Sequence, residues 1–492
     1  MRLNPLLRGI DSCLVKGARE IDIDSISYNS KQVKSRGMFF AFEGASLNGY
    51  DYIDEAIERG AVCIAAEKDF ITYKNITKVI VKDIRGSCAR IAANFYNHPS
   101  GRMNVTGITG TNGKTTILYM VSALLNKAGM ECGMIGTVNY KIGPRLIPAV
   151  NTTPSSIMLQ MLLSDMEASG INNCAMEVSS HALDQSRVDA ITFNRAIFTN
   201  LTGEHLDYHK DMETYFQAKR KLFYMLKKDG RSIINIDDTY GCLLANELKS
   251  DTLTYGIKGR ADIKACGISQ TSDRTSFKVC TPNESFCIDS PLIGEHNIYN
   301  MLSAIAFAVS IGLSSGCIKT AMKEFKPAPG RMERIAPCRG GVSVFVDYAH
   351  TDNALLNVLT ALAQIKQKRI ITVFGCGGNR DKQKRPRMAK VAAELSDLVV
   401  ITSDNPRDEE PEAIIDDIKK GLPRDFKDYK VITDRREAIH HALAGAQRGD
   451  IVLIAGKGHE NYQVAKDVTT AFDDRKVARQ AMEGLGLSES FV

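Results

Sequence analysis

The sequence predicts an α/β protein of three domains, and three observations carry that expectation. Apolar runs with strand character alternate with amphipathic helical stretches along nearly the whole chain, the pattern of helix-covered, largely parallel sheets. A length of 492 residues is more than one core organises at roughly 150 residues per domain. The alternation is interrupted twice by turn-rich segments, H-P-S-G at 98–101 and K-P-A-P-G-R at 326–331, and the prolines of the second cannot continue the preceding helix.

Taken in order, residues 1–98 combine strand-like M-F-F-A-F (38–42), A-V-C-I-A-A (61–66) and K-V-I-V-K (78–82) with a helical stretch at 52–60, a small N-terminal α/β domain. Across 99–329, N-V-T-G-I-T leads into a helix at 114–128, and C-A-M-E-V-S (174–179), R-A-I-F-T-N-L (195–201) and S-I-I-N-I (232–236) follow. The central domain therefore reads as a doubly wound, mostly parallel sheet, with ligands expected at the carboxyl ends of its strands. Residues 330–492 repeat the alternation at 342–347, 369–375, 398–404, 430–434 and 451–456, a Rossmann-like C-terminal domain. Its G-C-G-G at 375–378 lacks the third glycine of a dinucleotide fingerprint and runs into a charged loop, which argues against dinucleotide binding.

Composition excludes several classes of function. Hydrophobic content of 44% and charge of 24% suit a soluble globular chain, and a net charge of +6 over this length is too dilute to imply nucleic acid. Twelve cysteines, scattered without C-x-x-C or zinc-finger spacing, read as small buried hydrophobes in a reducing cytoplasm. The N-terminus lacks a signal-peptide core, and the best internal apolar run, 305–313, is too short to span a bilayer. A cytoplasmic protein without membrane insertion is expected.

The stretch T-G-I-T-G-T-N-G-K-T-T at 106–116 carries the first chemistry. It follows a strand-like run and opens a helix-like one, the context of a phosphate cradle formed by Gly110, Thr111, Asn112, Gly113, Lys114, Thr115 and Thr116. Glycines let backbone approach phosphate, N–H groups at the helix start face the anion, Lys114 brings a mobile charge, and the Thr115 hydroxyl can hold Mg²⁺. The register differs by one residue from G-x-x-x-x-G-K-[ST], since Ile108 stands where the first glycine belongs. Glu177 ends the strand-like C-A-M-E-V-S and could share Mg²⁺ with Thr115, although a lone strand-end glutamate is usually just solvated. His205 and His209 show i, i+4 spacing without an H-E-x-x-H signature, so a zinc protease is not indicated.

Read together, T-G-T-N-G-K-T-T, N-T-T-P (151–154), E-V-S-S-H-A-L (177–183), H-L-D-Y-H (205–209), A-K (218–219), G-E-H-N-I-Y-N (294–300), G-R-M-E (330–333), D-Y-A-H (347–350) and G-K-G-H-E (456–460) resemble the Mur ligase family across all three domains. D-N-P-R at 404–407 is similar to the signature of members that add meso-diaminopimelate. The resemblance implies a cytoplasmic, monomeric ligase of peptidoglycan precursor synthesis. It would use ATP and Mg²⁺ to phosphorylate the γ-carboxylate of UDP-MurNAc-L-Ala-D-Glu and let an amine of the diamino acid capture the acyl phosphate.

It also implies roles by position. Lys114, Thr115 and Glu177 would serve the nucleotide and its metal, and His205 with Lys219, the latter as a carbamate, a second cation. Without the resemblance, Lys219 in Q-A-K-R-K would be read as one solvated charge. Asn297 and Asn300, beside His296, match the segment near adenine, and Arg331, Asp347 and His350 the groups that close over ATP once the third domain swings in. Asn151, Thr152, Thr153, Ser179, Gln185 and Arg187 match contacts to the muramoyl dipeptide; Ser30 and the loop 44–49 match, loosely, the uridine diphosphate pocket. Arg380, Asp404, Asn405, Pro406, Arg407, Gly456 and Glu460 match the diaminopimelate site, with Arg407 offering a planar fork to the distal carboxylate that lysine lacks.

Alternatives from the same residues are a ligase adding L-lysine, a folylpolyglutamate synthetase, and, in another class, a P-loop NTPase switch or a nucleotide sensor. Three positions depart from the family pattern: Asp352 in place of proline, and Asn379 and Gln383 in place of aspartate and glycine.

Overall fold

A computed structural model describes residues 1–44, 47–248, 251–271, 273–335 and 341–487. Three large sheets follow one another along the chain, and a two-stranded ribbon, Tyr462–Ala465 with Val468–Ala471, comes after them. The first has five strands; Gly37–Phe40 and Ala61–Ala66 form its centre, and only Leu14–Lys16 runs antiparallel to its neighbour. The second has eleven strands. At its heart Phe193–Phe198, Asn104–Thr109, Asn173–Glu177 and Cys132–Ile135 lie side by side and parallel, while hairpins extend both ends antiparallel. The third has six strands with Ser343–Asp347, Ile451–Ala455, Ile370–Phe374 and Leu398–Ile401 adjacent and parallel.

Burial on both faces explains the continuous apolar runs: Ile370–Phe374 and Ile451–Ala455 are buried at every residue, under helices on either side. The same logic covers Val105 and Ile108, which pack into separate clusters on opposite faces of the central sheet.

Several elements escape the sequence reading. Strands Thr275–Cys280, Ser285–Ser290 and Asn139–Ile142 alternate between buried and more accessible residues, whereas Arg145–Pro148 at the sheet's far edge buries none; with Ile263–Gln270 they extend the ends of the parallel core. The segment at 98–101, expected as a turn, contains the helical turn Pro99–Arg102, opened by His98 in the left-handed region at φ 51°. Cysteines are not uniformly buried, since Cys242 and Cys287 are exposed. The described cysteines are all free thiols, and among the described residues no helix is long and apolar enough to cross a membrane.

Candidate active site

Four central strands end on one edge, and the loops leaving them meet there. Asn104–Thr109 delivers the phosphate loop, which turns at Gly110 (φ 147°) and Gly113 (φ 90°) into helix Lys114–Lys127. Both glycines are required by space as well as by φ: a Cβ on Gly110 would sit 1.8 Å from Thr199 Oγ1, and one on Gly113 2.4 Å from Asn300 Oδ1. The neighbouring strand's loop braces the cradle, with Thr111 N–H donating to Asn200 O (2.8 Å) and Thr199 Oγ1 to Asn112 O (2.7 Å). Lys114 Nζ donates to Gly110 O (2.9 Å) and Thr111 O (2.7 Å), and burial lowers its pKa.

Glu177, at the end of Asn173–Glu177, is fully buried. It accepts from Thr115 Oγ1 (3.0 Å), from Thr137 N–H (2.9 Å) and from Thr137 Oγ1 (3.0 Å). A hard cation bridging phosphates asks for one or two protein oxygens, and the Thr115 hydroxyl beside this carboxylate fits Mg²⁺.

Lys219 lies on helix Met212–Arg220 beneath the cradle, 1% exposed. It is not a solvated surface charge. Its Nζ donates to Gly110 O (2.8 Å) and sits 4.6 Å over the Tyr215 ring; burial, reinforced by Lys114, holds its pKa well below the usual lysine range. As an ammonium it does not suit a cation site; as a carbamate it would supply an oxygen. His205, left-handed at φ 59°, has its Nε2 3.9 Å from Glu204 Oε1. Its side chain is 45% accessible from the cleft, yet the surrounding protein lowers its pKa to about 4, so it is a neutral base at neutral pH. His209 is a structural histidine, buried against Ser180 Oγ at 2.9 Å.

A cleft of about 1580 Å³ opens between this edge and the third sheet. Asn151, Thr152, Thr153, Ser179, Arg187 and His205 line it from the central sheet, facing His350, Arg380, Asp404, Asn405, Arg407, Gly456 and Glu460 from the third. That volume exceeds the roughly 300–1,000 Å³ of a single-ligand pocket and suits several substrates at once. Arg187 spends its fork inside the protein here, donating through Nη2 to Gln185 Oε1 (2.6 Å) and through Nη1 to Thr153 O (2.9 Å). Ser30 stands apart in the first sheet's region, donating to Glu55 Oε2 (2.5 Å); Ala45 and Ser46 of the 44–49 loop lie outside the described residues.

The two sides of the cleft touch. Arg331 Nη2 donates to Thr115 Oγ1 (3.2 Å) with its guanidinium 4.7 Å over the Tyr348 ring, and Asn112 Nδ2 donates to Asn353 Oδ1 (3.0 Å). Asp347 is buried, accepts from Met332 N–H (2.6 Å) and Ala349 N–H (2.8 Å), and has a raised pKa because of that burial. His350 is fixed by a 2.9 Å contact from Nδ1 to Tyr348 O. Asn297 and Asn300 are linked to each other at 3.1 Å, beneath Gly113.

On the third sheet's edge, Arg407 adopts φ 53° and donates through Nη1 to Gly378 O (2.8 Å). Gly378 is locked against Pro406, whose carbonyl would lie 1.8 Å from any Cβ there. Arg380 is exposed at the cleft. Asn405 Nδ2 donates to Glu460 Oε2 (2.9 Å), and burial raises the Glu460 pKa. The three departures are accommodated locally. Asp352 takes the first helical position, where either proline or an acid is favoured, and pairs with Arg387 at 3.1 Å. Asn379, at φ 52°, occupies the left-handed region that Asn tolerates, and Gln383 precedes helix Lys384–Leu395 with its N–H on Asp381.

Sequence reasoning missed Thr137, Asn200, Glu204 and Lys457. Lys457 lay inside the quoted G-K-G-H-E and its burial was the missing signal; Asn200 sat in the strand-like run 195–201, whose strand ends at Phe198, and Thr137 belongs to a loop whose only sequence mark is its position after a strand.

Comparison with known proteins matches the chain to one family. Residues 22–96 match the model described as Mur ligase family, catalytic domain, residues 108–308 the Mur ligase middle domain, and residues 330–458 the Mur ligase, glutamate ligase domain. The chain belongs to the Mur ligase family. A relative from Clostridium tetani, named UDP-N-acetylmuramoyl-L-alanyl-D-glutamate--2,6-diaminopimelate ligase, is 42% identical over 99% of this chain and 100% of its own length. A solved structure of a ligase of that name is 31% identical, covers 99% of both chains and superposes with a TM-score of 0.70. A MurF ligase from Thermotoga maritima in complex with ADP shares the fold, with a TM-score of 0.63 at 19% identity over 94% of this chain and 96% of its own.

Proposed function

We propose that this protein joins meso-2,6-diaminopimelate to UDP-N-acetylmuramoyl-L-alanyl-D-glutamate at the expense of ATP, in peptidoglycan precursor synthesis. The observation that carries the reading is the cleft onto which the 151–153 loop and Arg187, His205, and the 404–407 and 456–460 loops all open, at the strand-end edge of the sheet that also carries the phosphate loop. A carboxylate oxygen of the D-glutamyl residue attacks the γ-phosphorus and ADP leaves; the diamino acid's amine then attacks the acyl carbon, loses a proton and expels phosphate. In this scheme the phosphate-loop N–H groups and Lys114 steady charge on the transferring phosphoryl group. Mg²⁺, held by Thr115 and Glu177, would supply charge neutralisation there.

Arg331, Asp347 and His350 close over the nucleotide, with Asn297 and Asn300 near its base. Asn151, Thr152, Thr153, Ser179, Gln185 and Arg187 receive the dipeptide, and Ser30 in the 1–98 domain lies toward the uridine diphosphate. Arg407 and Arg380 take the distal carboxylate, with Asp404, Asn405, Pro406, Gly456 and Glu460 shaping the rest of that subsite. Lys219 becomes a carbamate, which its lowered pKa supports, since the neutral amine is the form that adds carbon dioxide. The free thiols support a reducing cytoplasm, where the enzyme acts as a monomer.

Phosphate release with ATP, Mg²⁺ and the UDP-MurNAc dipeptide, compared among meso-diaminopimelate, L-lysine and no amine, tests this. Release should require meso-diaminopimelate. Release indifferent to all three additions would favour an NTPase switch, and equal use of L-lysine would overturn the amino-acid assignment.

A further inference from the structure

Beside the 404–407 loop the chain forms a ribbon that no step of the proposed reaction uses. Strands Tyr462–Ala465 and Val468–Ala471 pair antiparallel, and the other edge of the first strand bridges Arg407 in parallel. A row of hydrogen bonds crosses that edge. Arg407 N–H donates to Val464 O (3.1 Å) and Lys466 N–H donates to Arg407 O (2.6 Å), so both main-chain groups of Arg407 are held by the ribbon. Val464 N–H donates to Asn405 Oδ1 (3.0 Å), and Gln463 donates through Nε2 to the main-chain carbonyl of Asp404 (2.6 Å).

Arg407 needs such a hold. Its φ of 53° lies in the left-handed region, where a residue other than glycine persists only if its surroundings fix it there. Gly378 O, 2.8 Å from Nη1, restrains the guanidinium, and the ribbon restrains the main chain from which the side chain starts. A guanidinium grips a carboxylate through two parallel N–H bonds only when its plane is aimed, so a loop free to relax would lose that geometry. Of the donors on the ribbon's edge, only Gln463 uses its side chain, and its main chain stays in register with Thr470 whatever the side chain is. Arg380 comes from a different loop, at 379–383, which these bonds do not reach. Resting on the function proposed above, we propose that the ribbon is the frame of the diaminopimelate subsite and that Gln463 is a specificity-determining positioning residue acting through Arg407. It holds the Asp404–Arg407 loop in the strained form that aims the guanidinium at the distal carboxylate. L-lysine has no such carboxylate, so loosening the frame costs diaminopimelate far more than lysine.

The test measures kcat/KM for meso-diaminopimelate and for L-lysine in the full chain and in Gln463→Met, Gln463→Leu, Arg407→Ala and the double variant Arg407→Ala/Gln463→Met. Each Gln463 variant removes one donor at similar volume. It should lower the diaminopimelate-to-lysine ratio about fivefold through a higher KM for diaminopimelate, with the KM for ATP within about twofold of the parent. Preference is reduced and not abolished, because Arg380 keeps its own share. In the Arg407→Ala background, Gln463→Met should change the ratio by less than about twofold, since the residue through which it acts is gone. A merely structural role would instead lower kcat with both amino acids and add its full loss in that background. An unchanged ratio in both Gln463 variants, or a fivefold loss of about the same size without Arg407, overturns the positioning role. Should one Gln463 variant not fold, the other decides. If Arg407→Ala itself leaves the ratio untouched, the assignment of the subsite fails and the proposal falls with it; a lowered ratio in Arg407→Ala beside unchanged Gln463 variants sinks the proposal alone.

Discussion

Gly113 is the residue at which space and backbone conformation agree most strictly. A left-handed φ of 90° and an Asn300 oxygen 2.4 Å from the missing Cβ leave no room for alanine. Gly113→Ala should cost about 1–2 kcal/mol in backbone strain and, by displacing the phosphate loop from Asn300, reduce ATP binding at least about tenfold in a calorimetric titration. Lys219 yields a second expectation at this scale. Its amine is sealed from solvent and its pKa is held low, so activity should depend on dissolved carbon dioxide. Enzyme refolded in carbonate-free buffer should lose most of its turnover and regain it with bicarbonate; full activity without bicarbonate would rule the modification out. Such residues were legible only in part. The phosphate loop announces itself through Gly110, Gly113 and Lys114, whereas nothing in Q-A-K-R-K distinguishes a buried Lys219 from a surface charge, because burial is a property of the packed helix and not of the local string.

At the scale of elements, the third sheet is tied to its helices by one buried ion pair. Arg435, on helix Arg435–Ala444, and Asp474, on helix Asp474–Gly484, are both 0% exposed and meet at 2.7–2.8 Å, with Arg435 also donating to Ala455 O at the end of a central strand. Removing one partner strands the other, and Asp474→Asn should destabilise the protein by about 3–5 kcal/mol, read as a lowered urea midpoint. The parallel strands were legible because both of their faces are buried and they read as unbroken apolar runs, as at 370–374 and 451–455. The hairpins at 139–148 and 263–290 were not. Strands such as Asn139–Ile142 and Thr275–Cys280 pack one face only, and a reading tuned to parallel units passes over that weaker signal.

For the whole molecule, histidines impose a pH dependence. His296 and His459 both have pKa values lowered to about 4 from an ordinary 6.5, with burial the leading cause. The folded state thus binds fewer protons than the unfolded chain between those values. Stability should be full above about pH 6.5 and fall as pH drops toward 4, so the thermal midpoint should decline through that window; a midpoint flat down to pH 4.5 would contradict it. Interdomain geometry is what sequence conveys least: Arg331 and Asn353 are distant along the chain from Thr115 and Asn112, and only the fold brings each pair within 3.2 Å.

Where the segment leading into the third sheet meets the 456–460 loop, Gly330 and Gly458 touch through bare main chain; a Cβ on Gly330 would stand 2.1 Å from the Gly458 carbonyl carbon. The two stretches of main chain therefore mesh like gear teeth cut to zero clearance. Any mutation that thickened either tooth would push the segment entering the third sheet away from the 456–460 loop.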